Sequence, residues 1–308
     1  MPKLGLMTSS IPDVNTCKIG SQIARYASYA LICEVSLTPK PGLVDLHTNG
    51  AHTDMNASTF LLSTQTLRPY FKAYTCLGLT CPKSLSLFDF VERLRNLGKE
   101  AEIQMLKATN GINTHKGANY SFSLILSATG MELAKGYRLP FSPIISTEIL
   151  SHTAKLGQVI LKEDLKKLDV HADSTKKLSH GERLFIERGI TGIRGEGAAG
   201  YPTLANVLLP YLRQSSGNDP EDTLLRATLM LMATLQDTNL LHRGGPEGLI
   251  WVQEQARRLW DLDLQHDDLI KALTELDAEF TNRNLSPGGT ADLLSLGIYF
   301  ALLEGLFD

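Results

Sequence analysis

Apolar residues along this chain recur at steps of three and four rather than two. In one stretch Leu87, Phe88, Val91, Leu94, Leu97, Ala101 and Met105 form such a series, while Asp89, Glu92, Arg93, Lys99 and Glu100 fall on other faces. That spacing predicts an amphipathic helix with one stripe against a core. The same period, read between Pro and Gly stop signals, predicts about eleven helices, near 19–36, 57–75, 85–108, 117–136, 143–162, 180–188, 202–213, 220–236, 246–260, 266–282 and 290–305. Period-2 alternation is almost absent. The expected fold is all-α, a single helical domain over residues 1–308, with residues 1–18 as a loosely packed N-terminal segment. The polar run from Lys162 to Lys177 reads as a solvated connection.

Composition supports the helical reading. Leucine occurs 52 times and valine 8 in 308 residues, a bias away from the β-branched residues that favour sheets. A net charge of −3 provides no field to hold nucleic acid. With no apolar run of bilayer length and no leader-like start, the expectation is a cytoplasmic protein that does not enter a membrane. Cys17, Cys33, Cys76 and Cys81 show neither a metal-ligand spacing nor a disulfide framework.

The costly polar residues gather in five glycine-bearing segments at predicted helix ends. The first holds Glu34, Lys40 between Pro39 and Pro41, Asp45, His52 and Asp54. The second holds Asn113, His115 and Lys116, the third Arg194 and Glu196, the fourth Asp237, Asn239 and Arg243, and the fifth Asn284, Ser286 and Asp292. The two prolines stiffen the loop around Lys40 and are expected to aim its ammonium. Free N–H groups at the helix start after His115, joined by Lys116, form a potential anion site. Glycines around Arg194 and Glu196 would let a ligand approach the backbone, although no strand precedes them and a dinucleotide fold is rejected. Helix termination alone calls for glycine, but not for a cation or carboxylate each time. Lys40, His115, Lys116, Arg194 and Arg243 together suit a polyphosphate, and the carboxylates suit Mg²⁺ beside it or proton transfer. On residues alone the chain is an enzyme or binder for a phosphorylated small molecule.

At these positions the sequence resembles the triphosphoribosyl-dephospho-coenzyme A synthase family. The resemblance is carried by Glu34-Val-x-x-Thr-Pro-Lys-Pro-Gly-Leu-Val-Asp45, Gly-Ala-His52-x-Asp54-Met, Asn113-Thr-His-Lys-Gly117, Gly-x-Arg194-Gly-Glu196, Asp237-Thr-Asn239, Arg243-Gly-Gly245 and Arg283-Asn-Leu-Ser-Pro-Gly-Gly-x-Ala-Asp292, in order along the chain. It implies an all-helical transferase joining ATP to 3′-dephospho-CoA with release of adenine. It further implies Mg²⁺ as cofactor and hand-over of the product to a separate transferase acting on the acyl carrier protein of citrate lyase or malonate decarboxylase. An oligomer is compatible with this. The implied roles are catalysis for Glu34, Glu196, Asp45 and His115, and substrate or phosphate binding for Lys40, His52, Asn113, Lys116, Arg194, Asn239, Arg243, Asn284 and Ser286. Metal binding falls to Asp54, Asp237 and Asp292. The competing readings are a Mg²⁺-dependent nucleotide hydrolase or kinase on a helical scaffold, and a non-catalytic chaperone for the carrier protein.

Overall fold

Helix follows helix from Val14 onward. The computed structural model describes residues 14–170 and 189–307. In order they form α1 (Val14–Ser36), α2 (Ala57–Leu79), α3 (Leu87–Ala108), α4 (Lys116–Ala134), α5 (Pro143–Val170) and α6 (Gly192–Ala198). A π-helical segment (Leu204–Leu208) then runs into α7 (Leu209–Gln214), and α8 (Pro220–Thr234), α9 (Thr238–Asp261), α10 (His266–Asn282) and α11 (Gly288–Glu304) follow. No strand occurs among the described residues, as the apolar period predicted.

The start signals are chemical. Asn56, Ser86 and Asp219 accept the backbone N–H of Thr59, Asp89 and Asp222 and so cap α2, α3 and α8, relieving donors that a helix start leaves unpaired. Helices α4 and α11 are the apolar interior pieces, buried along most of their length. Helix α4 packs against α2, α3, α5 and α11. Its crossing with α2 needs glycine on both sides: a Cβ on Gly78 would stand 1.9 Å from the Ser127 carbonyl oxygen, and one on Gly130 would stand 2.2 Å from that of Thr75. The two backbones touch directly, which holds the last turns of α4 against the last turns of α2.

Several expectations need correction. Helix α1 begins at Val14 rather than residue 19, and α5 continues to Val170, so the first half of the run read as a solvated connection is helix. Asp164 in it is largely buried and takes ion pairs from Arg95 and Arg194. The glycine-rich segment at 192–198 is a short helix, unforeseen because its glycines and alanine carry no apolar stripe. Helix α9 begins at Thr238 and breaks at Gly245 (φ 64°, ψ −167°), after which Pro246 opens the part that the spacing did predict. On α3 the buried stripe is Phe90, Val91, Leu94, Ala101 and Met105. Leu87 and Phe88 are exposed, since Phe90, two positions further around the helix than Phe88, continues the stripe. The predicted helix at 180–188 lies outside the described residues.

Candidate active site

Five loops and helix ends converge on one cleft of about 1580 Å³, larger than the roughly 300–1,000 Å³ that encloses one drug-sized ligand. Of the residues singled out from sequence, Glu34, His52, Asn113, His115, Lys116, Arg194, Glu196, Asp237, Asn239, Arg243, Ser286 and Asp292 line it. Lys40, Asp45, Asp54 and Asn284 do not.

The loop after α1 explains two of those exceptions. Lys40 is fully buried and points back at the end of α1, where its ammonium donates to the carboxylate and backbone carbonyl of Glu34. The expected aim at a ligand is therefore reversed. A buried ammonium needs a carboxylate beside it, and Glu34 provides one. Burial raises the Glu34 carboxyl, Lys40 pulls it down, and the charge of Asp45 adds upward. Asp45 is a loop organiser. It accepts from Thr38 Oγ1 (2.8 Å) and from the backbone N–H of Lys40 (3.2 Å), His47 (2.7 Å) and Thr48 (2.8 Å). Asp277 of α10, which sequence reading missed, anchors the same loop by accepting from Gly42 N (2.8 Å) and Thr48 Oγ1 (3.2 Å).

Around Arg243 a second cluster forms. Its guanidinium donates to Ala51 O and Asn284 Oδ1, both at 2.9 Å, and to the His52 ring at 3.2 Å. The other His52 nitrogen contact is Ser286 Oγ at 2.9 Å. Burial, then the Arg243 charge, lower the His52 pKa, while exposed Asp54, 3.5 Å away, opposes them. His52 is thus a neutral link between the 50–54 loop and the segment before α11.

Another part of the wall is built on α3, where Arg95, Gly98, Lys99 and Glu102 fall at helical spacing on one face and line the cleft. Lys116 pairs with Glu102 (2.7 Å). Arg95 and Arg194 share Asp164, Arg194 at 2.9 Å. Arg95 Nη1 is buried with no hydrogen-bond partner among the described residues. Sequence reading missed Arg95 because it sits within a regular helix, where a charge normally marks a solvated face.

The carboxylates separate by what their oxygens already do. Asp237 is buried and caps α9, accepting from Asn239 N (2.8 Å) and Leu240 N (3.3 Å), and also accepts from Thr290 N in α11 (2.9 Å). Asp292 accepts from Ala118 N at the start of α4, lying so close to Gly117 that a Cβ there would meet its Oδ2 at 2.1 Å. The anion site foreseen at that helix start is therefore partly filled by the protein itself, with Asn113 Oδ1 accepting from Lys116 N (3.2 Å). Burial, then the charges of Asp237 and Glu34, push the Asp292 carboxyl well up. Glu196 accepts from Thr203 Oγ1 at 2.9 Å, but its Oε2 has no partner among the described residues. Burial raises its carboxyl too. The charges of Asp292 and Glu196 both reach the fully buried Tyr201.

The set proposed for a metal does not fit a protein-made cage. Asp54 is exposed beside His52, and the Asp237 oxygens are taken up by backbone N–H groups. Among the described residues no three His, Cys, Asp or Glu side chains are grouped to hold a metal ion. Cys33, Cys76 and Cys81 are in no disulfide among the described residues, and among those residues no helix is long and apolar enough to cross a membrane.

A body that is all-helical among the described residues, whose loops close a large cleft lined by guanidinium groups and a carboxylate with one unpartnered oxygen, has the makings of an enzyme for anionic small molecules. The model of the ATP:dephospho-CoA triphosphoribosyl transferase family matches residues 20–308, and the chain belongs to that family. It is 44% identical over 292 residues to a Streptococcus pyogenes serotype M18 protein named "Probable 2-(5''-triphosphoribosyl)-3'-dephosphocoenzyme-A synthase", covering 93% of this chain and 98% of the relative. A protein of the same name from Streptococcus equi subsp. zooepidemicus is 44% identical over 295 residues, 94% and 99% of the two chains. No solved structure matches.

Proposed function

We propose that the chain joins ATP to 3′-dephospho-CoA and releases adenine, giving 2′-(5″-triphosphoribosyl)-3′-dephospho-CoA. The observation that carries this reading is a cleft with room for two nucleotides, lined by Arg95 and Glu196, each with a buried polar atom that has no partner among the described residues. The 2′-hydroxyl oxygen of dephospho-CoA bonds to C1′ of the ATP ribose as the bond from C1′ to N9 breaks. The electron pair stays on adenine, and the hydroxyl proton passes to Glu196 and leaves with the base.

Glu196 suits that task because burial holds its carboxyl above the usual range, closer to working pH. As the ribose approaches an oxocarbenium-like state, Asp292 contributes negative charge beside it. Arg95, Lys116, Arg194 and Arg243 hold phosphates, guanidinium groups binding in the bidentate manner that suits them. His52, Asn113, Asn239 and Ser286 complete the polar rim, and Asn284 holds the Arg243 guanidinium from outside the lining. Lys40, Asp45 and Asp237 act one step back: Lys40 neutralises Glu34, and the two aspartates fix loop and helix ends. Magnesium would enter on the triphosphate, which needs only one or two protein oxygens, and Asp292 offers one. The reaction belongs to the cytoplasm, and its product goes to a separate carrier-protein transferase.

Chromatography of a reaction containing ATP, dephospho-CoA and Mg²⁺ tests the reading. Free adenine should appear in step with consumption of dephospho-CoA. ADP or inorganic phosphate in place of adenine would contradict it.

A further inference from the structure

His115 is a buried side chain of the cleft whose hydrogen-bond direction can be worked out from its neighbours. Thr114 Oγ1 donates to Ser63 Oγ at 2.7 Å, and Ser63 Oγ lies 2.7 Å from His115 Nδ1. A hydroxyl that accepts from Thr114 has its own hydrogen free for Nδ1. Nδ1 then accepts, and the ring hydrogen resides on Nε2. Nε2 is buried, has no partner among the described residues, and belongs to a residue that lines the cleft.

The surroundings decide what that donor can meet. Phe60 packs edge-on against the imidazole with ring centroids 4.9 Å apart. Phe60 in turn packs on the small cluster of Val35, Val44 and Met55, of which Val44 and Met55 face the cleft with it. The charged group acting on the ring is Lys40, whose ammonium is held by Glu34. Burial and Lys40 hold the His115 pKa down at about 3, so the ring is neutral at working pH. An anion would be poorly matched by an apolar wall with one uncharged donor. A flat heteroaromatic base, with apolar faces and ring nitrogens that accept, matches both.

We propose that the His115 end of the cleft is a purine-base pocket in which His115 Nε2–H donates to a ring nitrogen of adenine. Ser63 and Thr114 are the positioning residues that select this tautomer. The choice of adenine rests on the proposed reaction, in which the departing base carries an electron pair that such a donor would stabilise.

The test uses protein labelled with ¹⁵N in histidine, its His115 signal identified with His115→Gln. The expected result is an Nε2-protonated ring that does not titrate down to about pH 5. Free adenine should move that signal and inorganic tripolyphosphate should not. Ser63→Ala should weaken adenine binding about tenfold, and Ser63→Thr should restore it, thermal melting confirming that each variant folds. An Nδ1-protonated ring, titration near neutrality, or a signal that millimolar adenine leaves in place would overturn the proposal. These readouts involve no dephospho-CoA, so failure of adenine release in turnover and failure of this pocket are separate results.

Discussion

Lys40 carries a charge that the fold must bury, and its partner comes from six residues earlier in the chain. Removing one member of such a pair is worse than removing both, because the survivor is left as an uncompensated buried charge. Lys40→Ala should therefore cost about 3–5 kcal/mol in denaturant unfolding. Adding Glu34→Gln should recover much of that loss. Unchanged stability with a large loss of ATP affinity would instead return Lys40 to the phosphates. The sequence marked Lys40 through its two flanking prolines, and Glu34 through its place in the same block. Which way the ammonium points was not legible, since a stiff loop constrains φ without saying which side faces the core. Arg95 was illegible for another reason. One helical turn further along α3 stands Lys99, an exposed cation, and nothing in the local pattern distinguishes the largely buried guanidinium from it.

At the scale of elements, the helix ends do most of the site's construction. Asp237 begins α9 and reaches across to α11, whereas Asp292 in the first turns of α11 reaches across to α4. Glycine marked these segments in the sequence as ends, correctly in most cases, but the partners lie 53 residues apart in the first instance and cannot be read from spacing. Helix α6 and the π-helical segment were likewise invisible, one for lack of an apolar stripe, the other because one widened turn leaves the pattern intact. The two aspartates should respond differently to substitution. Asp237→Ala removes an acceptor from backbone donors and should cost on the order of 1–2 kcal/mol, seen as a lower Tm. Asp292→Asn keeps an acceptor for Ala118 N and removes only the charge.

The sign of its pH effect follows from the raised carboxyl. Between the unfolded value near 3.8 and the higher native one, the native state binds more protons than the unfolded state, so this group makes stability fall as pH rises through that window. Above the unfolded value the buried Asp292 carboxyl is therefore a burden to the fold. Asp292→Asn should melt at the same or a higher temperature than the parent, with a flatter dependence on pH, yet lose adenine release. A variant that melts lower, or that keeps full turnover, would show that the carboxylate serves the fold.

For the whole molecule, the helices matter chiefly as a frame that brings five distant chain segments to one cleft. The all-α class, most helix positions and the list of segments were legible, because apolar period and helix-end chemistry are local. How the segments divide the work was not: the α3 wall carries Arg95, Lys99 and the partner of Lys116, while Arg243 belongs to a separate cluster with His52 and Ser286. Holding a triphosphate firmly while breaking a bond at the far end of the same ribose is the central claim. It is tested most directly with ATP labelled in the γ-phosphate and incubated with dephospho-CoA. The label should move intact into the product derived from dephospho-CoA, in equal amount to the adenine set free. Label appearing as inorganic phosphate, or in a product formed without release of adenine, would contradict it.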